Sequence, residues 1–427
     1  MQIYPKQNST DSFLSIRFQQ ILFWGFFYTV FAGVVRKWIF PSGIVSNLLL
    51  FGQLILPLIL AWQYTQTTFI IKKAYRHISV IYFIILLLLA VNPLNHTIFH
   101  GIIGIIIHFG FWYLLLAYLQ VSDVVEIKQL DYYIIGLLIL ETVLASIQYN
   151  LPPTHILNRY SVDDSVGISI GNGIRVTGTF SYLGGFAAMT MFYGFFIWSL
   201  LNRNQKPVLL VISVILSIYM AFMSGGRGNV VTLLSLIAVG IYENIFKTTQ
   251  YIKYLLGIGA AIILLSVFFN PLQPIMRAWD NFYDRFDNLT ETGESYNRIY
   301  RNYLSALLYH GSQPVFGAGL GSDYQGANAV FGASETKQQY GYMEEEGERI
   351  VFEGGYFLYF IRIGLFVIVL SAMRIKRLSK VILFLLFFHK LLVFQTYATF
   401  FIAMGFIWIN QSKLLPTKTQ LLCKKQT

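Results

Sequence analysis

Cysteine is nearly absent: Cys423 is the only one in 427 residues. That excludes an internal disulfide and any CxxC metal or redox site. Charge is scarce too, 12% of residues against 56% hydrophobic, which is too little to clothe a soluble protein. With a mean hydropathy of +0.58, the chain is expected in lipid. The seven histidines show no HExxH spacing, and no DxD pair occurs, so the sequence offers no metal centre and calls for no cofactor. The net charge of +11 does not read as nucleic-acid binding, because the basic residues fall mostly in short gaps between apolar runs. The N-terminal "MQIYPKQNSTDSFLSIRFQQ" is polar for too long to be a signal peptide and no small-residue cleavage site follows, so the first apolar run is expected to stay as a helix.

What is abundant is apolar runs of spanning length. A transmembrane helix needs about 20 such residues, with every backbone group bonded internally. The runs predict an all-α polytopic membrane protein forming a single transmembrane domain over 1–427. Its helices are expected near 19–40, 44–63, 78–94, 98–119, 131–149, 181–201, 207–223, 229–246, 253–270, 351–372, 379–394 and 396–411. The last two share about 30 residues, long for one span and short for two. Basic gaps at "IIKKAYRH", "NRNQK", "KTTQYIK" and "RIKRLSK" and the C-terminal tail all fall on one side of a twelve-helix drawing. Lys and Arg collect on the cytoplasmic side, so that side and both termini are expected in the cytoplasm. An eleven-helix drawing would put Lys424 and Lys425 outside. The opposite face carries a first extracytoplasmic loop at 150–180 and a large one at 271–350, both punctuated by Gly, Pro, Asn and Asp. Within the second, Ile299, Tyr303 and Leu307 at helical spacing predict an amphipathic helix on the membrane surface.

Several cations break the charge bias. Arg36 and Lys37 in "VVRKWIFP", Arg175 in "IRVTGTFSY", Arg227 in "AFMSGGRGNVV", and Arg298 with Arg301 in "YNRIYRN" all fall on the outer side. A buried cation there costs about 2.5–3.5 kcal/mol by insertion scales, which an anionic ligand would offset. Guanidinium suits that task, since its planar fork binds phosphate or carboxylate through two parallel hydrogen bonds. Gly226 and Gly228 beside Arg227 allow close approach, and helix-start amides add donors. The alternative is an arginine snorkelling to lipid headgroups.

Taken in order, "RVTGTFSYLGGFAAM", "SGGRGNVV", "NRIYRNYLSALLYHGSQPVFGAGLGS" and "FEGGYFLYFIRIGLF" resemble the O-antigen polymerase and ligase superfamily, the Wzy-like membrane glycosyltransferases. The resemblance covers roughly 170–370. It implies a metal-independent C-type glycosyltransferase with a large extracytoplasmic loop. Such an enzyme acts outside the membrane on glycans carried by polyprenyl diphosphate, its arginines holding the diphosphate while an acceptor hydroxyl inverts the anomeric carbon. It further implies partners among membrane lipids, chain-length regulators and flippases, in a plasma (inner) membrane.

Where ligases usually place a histidine and an asparagine, this chain reads "VFEGGYF". The carboxylate of Glu353 is then the candidate base, the alternative being a helix cap, and the departure favours polymerase over ligase. "GAGLG" is read as a turn under the glycan, since no strand precedes it. Glu141, His108, His389 and Lys390 are expected to face the bundle interior, and Lys390 is a further candidate for the site. A flippase or transporter remains a rival, although it should carry charges near the midplane and in both halves.

Overall fold

The computed structural model describes residues 9–65, 72–122, 130–160, 169–170, 173–203, 207–244, 315–341, 346–388 and 396–412, with isolated positions at 276, 279, 280, 283, 306, 307 and 343. Within them the architecture is helical. α1 (Ser9–Val34) runs into a π-helical turn (Val35–Ile39), followed by α2 (Ile44–Thr65), α3 (Lys73–Ala90), α4 (Ile98–Val121) and α5 (Asp131–Tyr149). After a 3-10 turn at Ile156–Asn158, the two-residue strands β1 (Ser169–Ile170) and β2 (Gly173–Ile174) pair antiparallel, Ser169 opposite Ile174. Then come α6 (Leu183–Arg203), α7 (Pro207–Met223), α8 (Arg227–Glu243), α9 (Gln325–Phe331), α10 (Glu335–Tyr340), α11 (Glu346–Ala372), α12 (Arg377–Phe387) and α13 (Thr396–Ser412).

Six of these, α2 to α6 and α11, are long and apolar enough to cross a membrane, and α7 is a shorter apolar helix. Their outward faces are apolar, as at Ile44 (78% exposed) and Leu88 (70% exposed), while Lys37, His108, Glu141, Glu353 and Arg362 are buried. That inversion of the soluble pattern is what lipid as solvent demands. The molecule is a membrane-embedded helical protein.

Helices were expected at eleven places that the described residues cover, and each holds one. Three begin five or more residues earlier than expected, α1 among them, starting at Ser9 rather than near 19. α3 starts at Lys73 because "KAYRH" is polar but helix-favouring, and it stops before Asn92-Pro93. α11 starts at Glu346, with Glu346 and Glu348 in its first turn, where acidic side chains suit the helix dipole. The long C-terminal run separates into α12 and α13. The helix expected at 253–270, most of the surface helix (Ile299 and Tyr303), and Arg298, Arg301, His389 and Lys390 lie outside the described residues.

α6 is the hub, buried almost throughout and packed on α7, α8 and α13. Small residues permit this closeness: a Cβ on Gly194 would come 2.9 Å from Leu236, and one on Gly240 3.1 Å from the Trp198 backbone. Polar contacts then mark two ends. At one, Arg203 forks onto Asp131 (2.6 and 2.8 Å), Asn202 reaches Ser412 (2.7 Å), and the Lys376 amide donates to Glu243 (2.6 Å). The other end gathers the last turns of α1, α5 and α7, the first turns of α4, α6 and α8, and the N-terminal third of α11. Of the cations that broke the charge bias, Arg36, Lys37, Arg175 and Arg227 are at this second end.

Candidate functional site

The organising piece is the irregular segment 175–181 before α6. Val176 N–H donates to the Met223 carbonyl (3.4 Å) and Arg175 Nε to the Ser224 carbonyl (3.4 Å), which fastens the segment to the α7–α8 turn. From the π-helical turn after α1, Arg36 donates to Ser181 Oγ (2.8 Å) and to Ser46 Oγ (3.2 Å), while Lys37 Nζ donates to Thr177 Oγ1 (2.5 Å) and the Gly178 carbonyl (3.2 Å). From α5, Gln148 Oε1 accepts from Gly178 N (2.8 Å) and Thr177 N (3.3 Å), and its amide returns a bond to the Gly178 carbonyl (2.8 Å). Glu141 accepts from Thr179 N (3.1 Å) and contacts Thr179 Oγ1. Gly178 has φ +56 and lies so close to Glu141 that a Cβ would come 1.9 Å from Oε2. Only glycine fits both the left-handed backbone and that contact.

The neighbouring turn is built from Ser224 to Asn229. Gly225 takes φ +61, Ser224 Oγ accepts from Gly226 N (3.2 Å), and Gly226 is the N-cap of α8. Arg227 opens the helix and is half-buried, Gly228 is exposed, and Arg175 is half-buried alongside. Two guanidinium groups and a helix start thus share one corner, a chemistry suited to a multiply charged anion.

The second cluster surrounds Glu353 inside α11. Gly355 interrupts that helix with φ +67, and across the kink Ala318 N donates to the Phe352 carbonyl (2.6 Å) and Gly319 N to the Glu353 carbonyl (3.0 Å). The Glu353 side chain turns onto the same loop. Oε2 accepts from Gly321 N (2.8 Å) and His108 Nε2 (2.7 Å), and Oε1 from Asp323 N (2.9 Å). Arg362 Nη1 lies 3.1 Å from His108 Nδ1. Because guanidinium only donates, Nδ1 is the acceptor and Nε2 carries the proton given to Glu353. His108 is thereby a neutral bridge between a buried cation and a buried anion. The loop it secures, 317–324, is entirely buried, so "GAGLG" is an interior turn between α4 and α11.

From within the loop, Asp323 contacts Lys337 Nζ and lies 3.3 Å from Arg349 Nε. Burial pushes the Asp323 carboxyl up to about 6, outweighing the hydrogen bond and charge of Lys337. Among the described residues no group of three His, Cys, Asp or Glu could hold a metal ion. No family model, curated protein or solved structure matches this chain. The arrangement itself therefore carries the functional argument.

Of the residues singled out from sequence, Arg36, Lys37, Arg175, Arg227, Gly226 and Gly228 come together at one corner, linked through 175–181. Glu353 belongs to the separate latch with His108, and its oxygens are already engaged at 1% exposure. Thr177, Thr179, Gln148 and Arg362 escaped the sequence reading. Gln148 and Arg362 both sit in apolar helices, where a polar or charged side chain has to find a partner, and that was the available signal.

Proposed function

We propose that the chain is a metal-independent glycosyltransferase of the polymerase kind, joining polyprenyl-diphosphate-linked oligosaccharide repeat units on the outer face of the plasma (inner) membrane. The observation that carries this reading is the corner where Arg175 and Arg227 meet the glycine turn and the start of α8, at the bundle end opposite Arg203 and Lys376. In the full proposal twelve helices cross the membrane, both termini are cytoplasmic, and Arg298 and Arg301 join the same site from the large loop.

The chemistry follows from the charges. A hydroxyl oxygen of the acceptor glycan attacks the anomeric carbon of the donor, a new glycosidic bond forms, and the bond to the diphosphate breaks. The diphosphate leaves on its polyprenyl carrier, its developing charge held by preorganised guanidinium and amide donors. The hydroxyl proton goes to a base, for which Glu353 is proposed. In that role Glu353 would exchange one of its three donors for the acceptor hydroxyl.

Deletion of the gene tests this reading in cells. Long chains are expected to disappear while single lipid-linked repeats accumulate, with complementation restoring the ladder. Unchanged chain length would overturn it. A ladder of normal length that fails to reach its final acceptor would assign the chain to ligation instead.

A further inference from the structure

Lys37 is wholly buried, yet it donates its hydrogen bonds to neutral groups, a threonine hydroxyl and a carbonyl of the turn at 177–179. Glu141, also wholly buried, grips the same turn through Thr179 N (3.1 Å). Gln148, likewise buried, satisfies Thr177 N, Gly178 N and the Gly178 carbonyl together. The cation, the anion and the amide thus converge on three consecutive residues. Leaving a buried charge without its complement is costly, and a chain needing only a tight turn could make one with glycine and threonine alone. Two residues upstream of the turn stands Arg175, bonded to the Ser224 carbonyl (3.4 Å), and Ser224 leads directly into Arg227.

We infer that Lys37, Glu141 and Gln148 are positioning residues for the anion site, a charged clamp on the 177–179 turn that sets where Arg175 stands relative to the Arg227 turn. Lys37 accordingly does not contact the diphosphate. This inference rests on the lipid-diphosphate reading above, and its test separates the two.

Three full-length proteins in nanodiscs serve: wild type, the charge-neutral pair Lys37→Met with Glu141→Gln, and Thr177→Val. The last removes the Lys37 hydroxyl partner while keeping both charges, and serves if the pair does not fold. Hydrogen exchange over 173–181 and 223–229 reads the clamp without ligand. Titration with undecaprenyl diphosphate reads the anion site. The expected result is an unfolding midpoint close to wild type, faster exchange in both segments, and binding weaker by about tenfold, the effect of roughly one hydrogen bond. Adding Arg175→Met should weaken the altered protein no further. Wild-type protection in the folded variants overturns the clamp, and an additive loss with Arg175→Met overturns it by making Lys37 a direct ligand. Faster exchange together with a wild type that does not bind undecaprenyl diphosphate sustains the clamp and overturns the lipid-diphosphate reading.

Discussion

Replacing Glu353 by glutamine separates an anchor from a base. Glutamine keeps the shape but substitutes an amide NH2 for one carboxylate oxygen. At the Oε1 position that group would face the Asp323 N–H, now 2.9 Å from the oxygen. At the Oε2 position it would face both the Gly321 N–H, at 2.8 Å, and the His108 Nε2–H, at 2.7 Å. Either way at least one donor meets a donor, and the bonds that survive lose charge assistance. Hydrogen bonds to charged groups contribute about 1.5–3 kcal/mol, and a stranded buried donor costs about 1–3 kcal/mol. Arg362, 1% exposed, also loses the anion it reaches through His108. The substitution should therefore cost about 3–5 kcal/mol, the range for breaking a buried pair. Thermal unfolding in nanodiscs should drop accordingly, with hydrogen exchange rising over 317–324. Loss of a base alone would reduce turnover about 10²–10⁴-fold at an unchanged midpoint. Wild-type stability and loop protection in Glu353→Gln would refute the anchoring argument, and wild-type turnover would remove Glu353 from the chemistry.

Three further outcomes are expected. Arg227→Lys should abolish chain elongation at normal protein level, because a point charge cannot reproduce the planar fork, whereas Arg36→Lys, whose partners are the hydroxyls of Ser46 and Ser181, should be milder; gel-resolved polymer length checks both. Gly33→Ala should cost about 1–3 kcal/mol as overpacking, since its Cβ would come 2.4 Å from the Thr179 carbonyl and 2.7 Å from Phe180 Cα, both immovable backbone, while Gly52→Ala meets only the movable end of Tyr28; unfolding midpoints compare them. For Asp323, whose carboxyl rises from 3.8 to about 6 on folding, the folded state holds the proton more tightly, so this stabilisation is complete below about pH 4 and lost as pH rises through 6. Asp323→Asn should remove that slope, at most about 3 kcal/mol, from unfolding measured between pH 4 and pH 7.

Helix positions were legible because lipid imposes a length and a composition on each span. α4, α5 and α7 therefore begin where their apolar runs begin. Partnerships were not legible. Lys37 and Thr177 stand 140 residues apart, and His108 and Glu353 stand 245 apart; a polar residue in an apolar run announces that it needs a partner without naming one. The Arg36-Lys37 pair shows the consequence. Sequence marks both as cations on the unexpected side, but only the fold reveals that they reach back onto 177–181. At "GAGLG" the turn was legible but its neighbours were not: positive φ at Gly317, Gly319 and Gly321 lets the backbone pack on Glu353, Asn95 and His100 respectively.

The most direct measurement of the central claim uses the purified protein in nanodiscs with a polyprenyl-diphosphate-linked oligosaccharide, read out by glycan chain length. Wild type should produce a ladder of lengthened lipid-linked chains with release of polyprenyl diphosphate, and Arg227→Lys should produce none. Wild-type protein that leaves every chain at its starting length, or that moves the lipid across a bilayer without forming a glycosidic bond, would contradict the account.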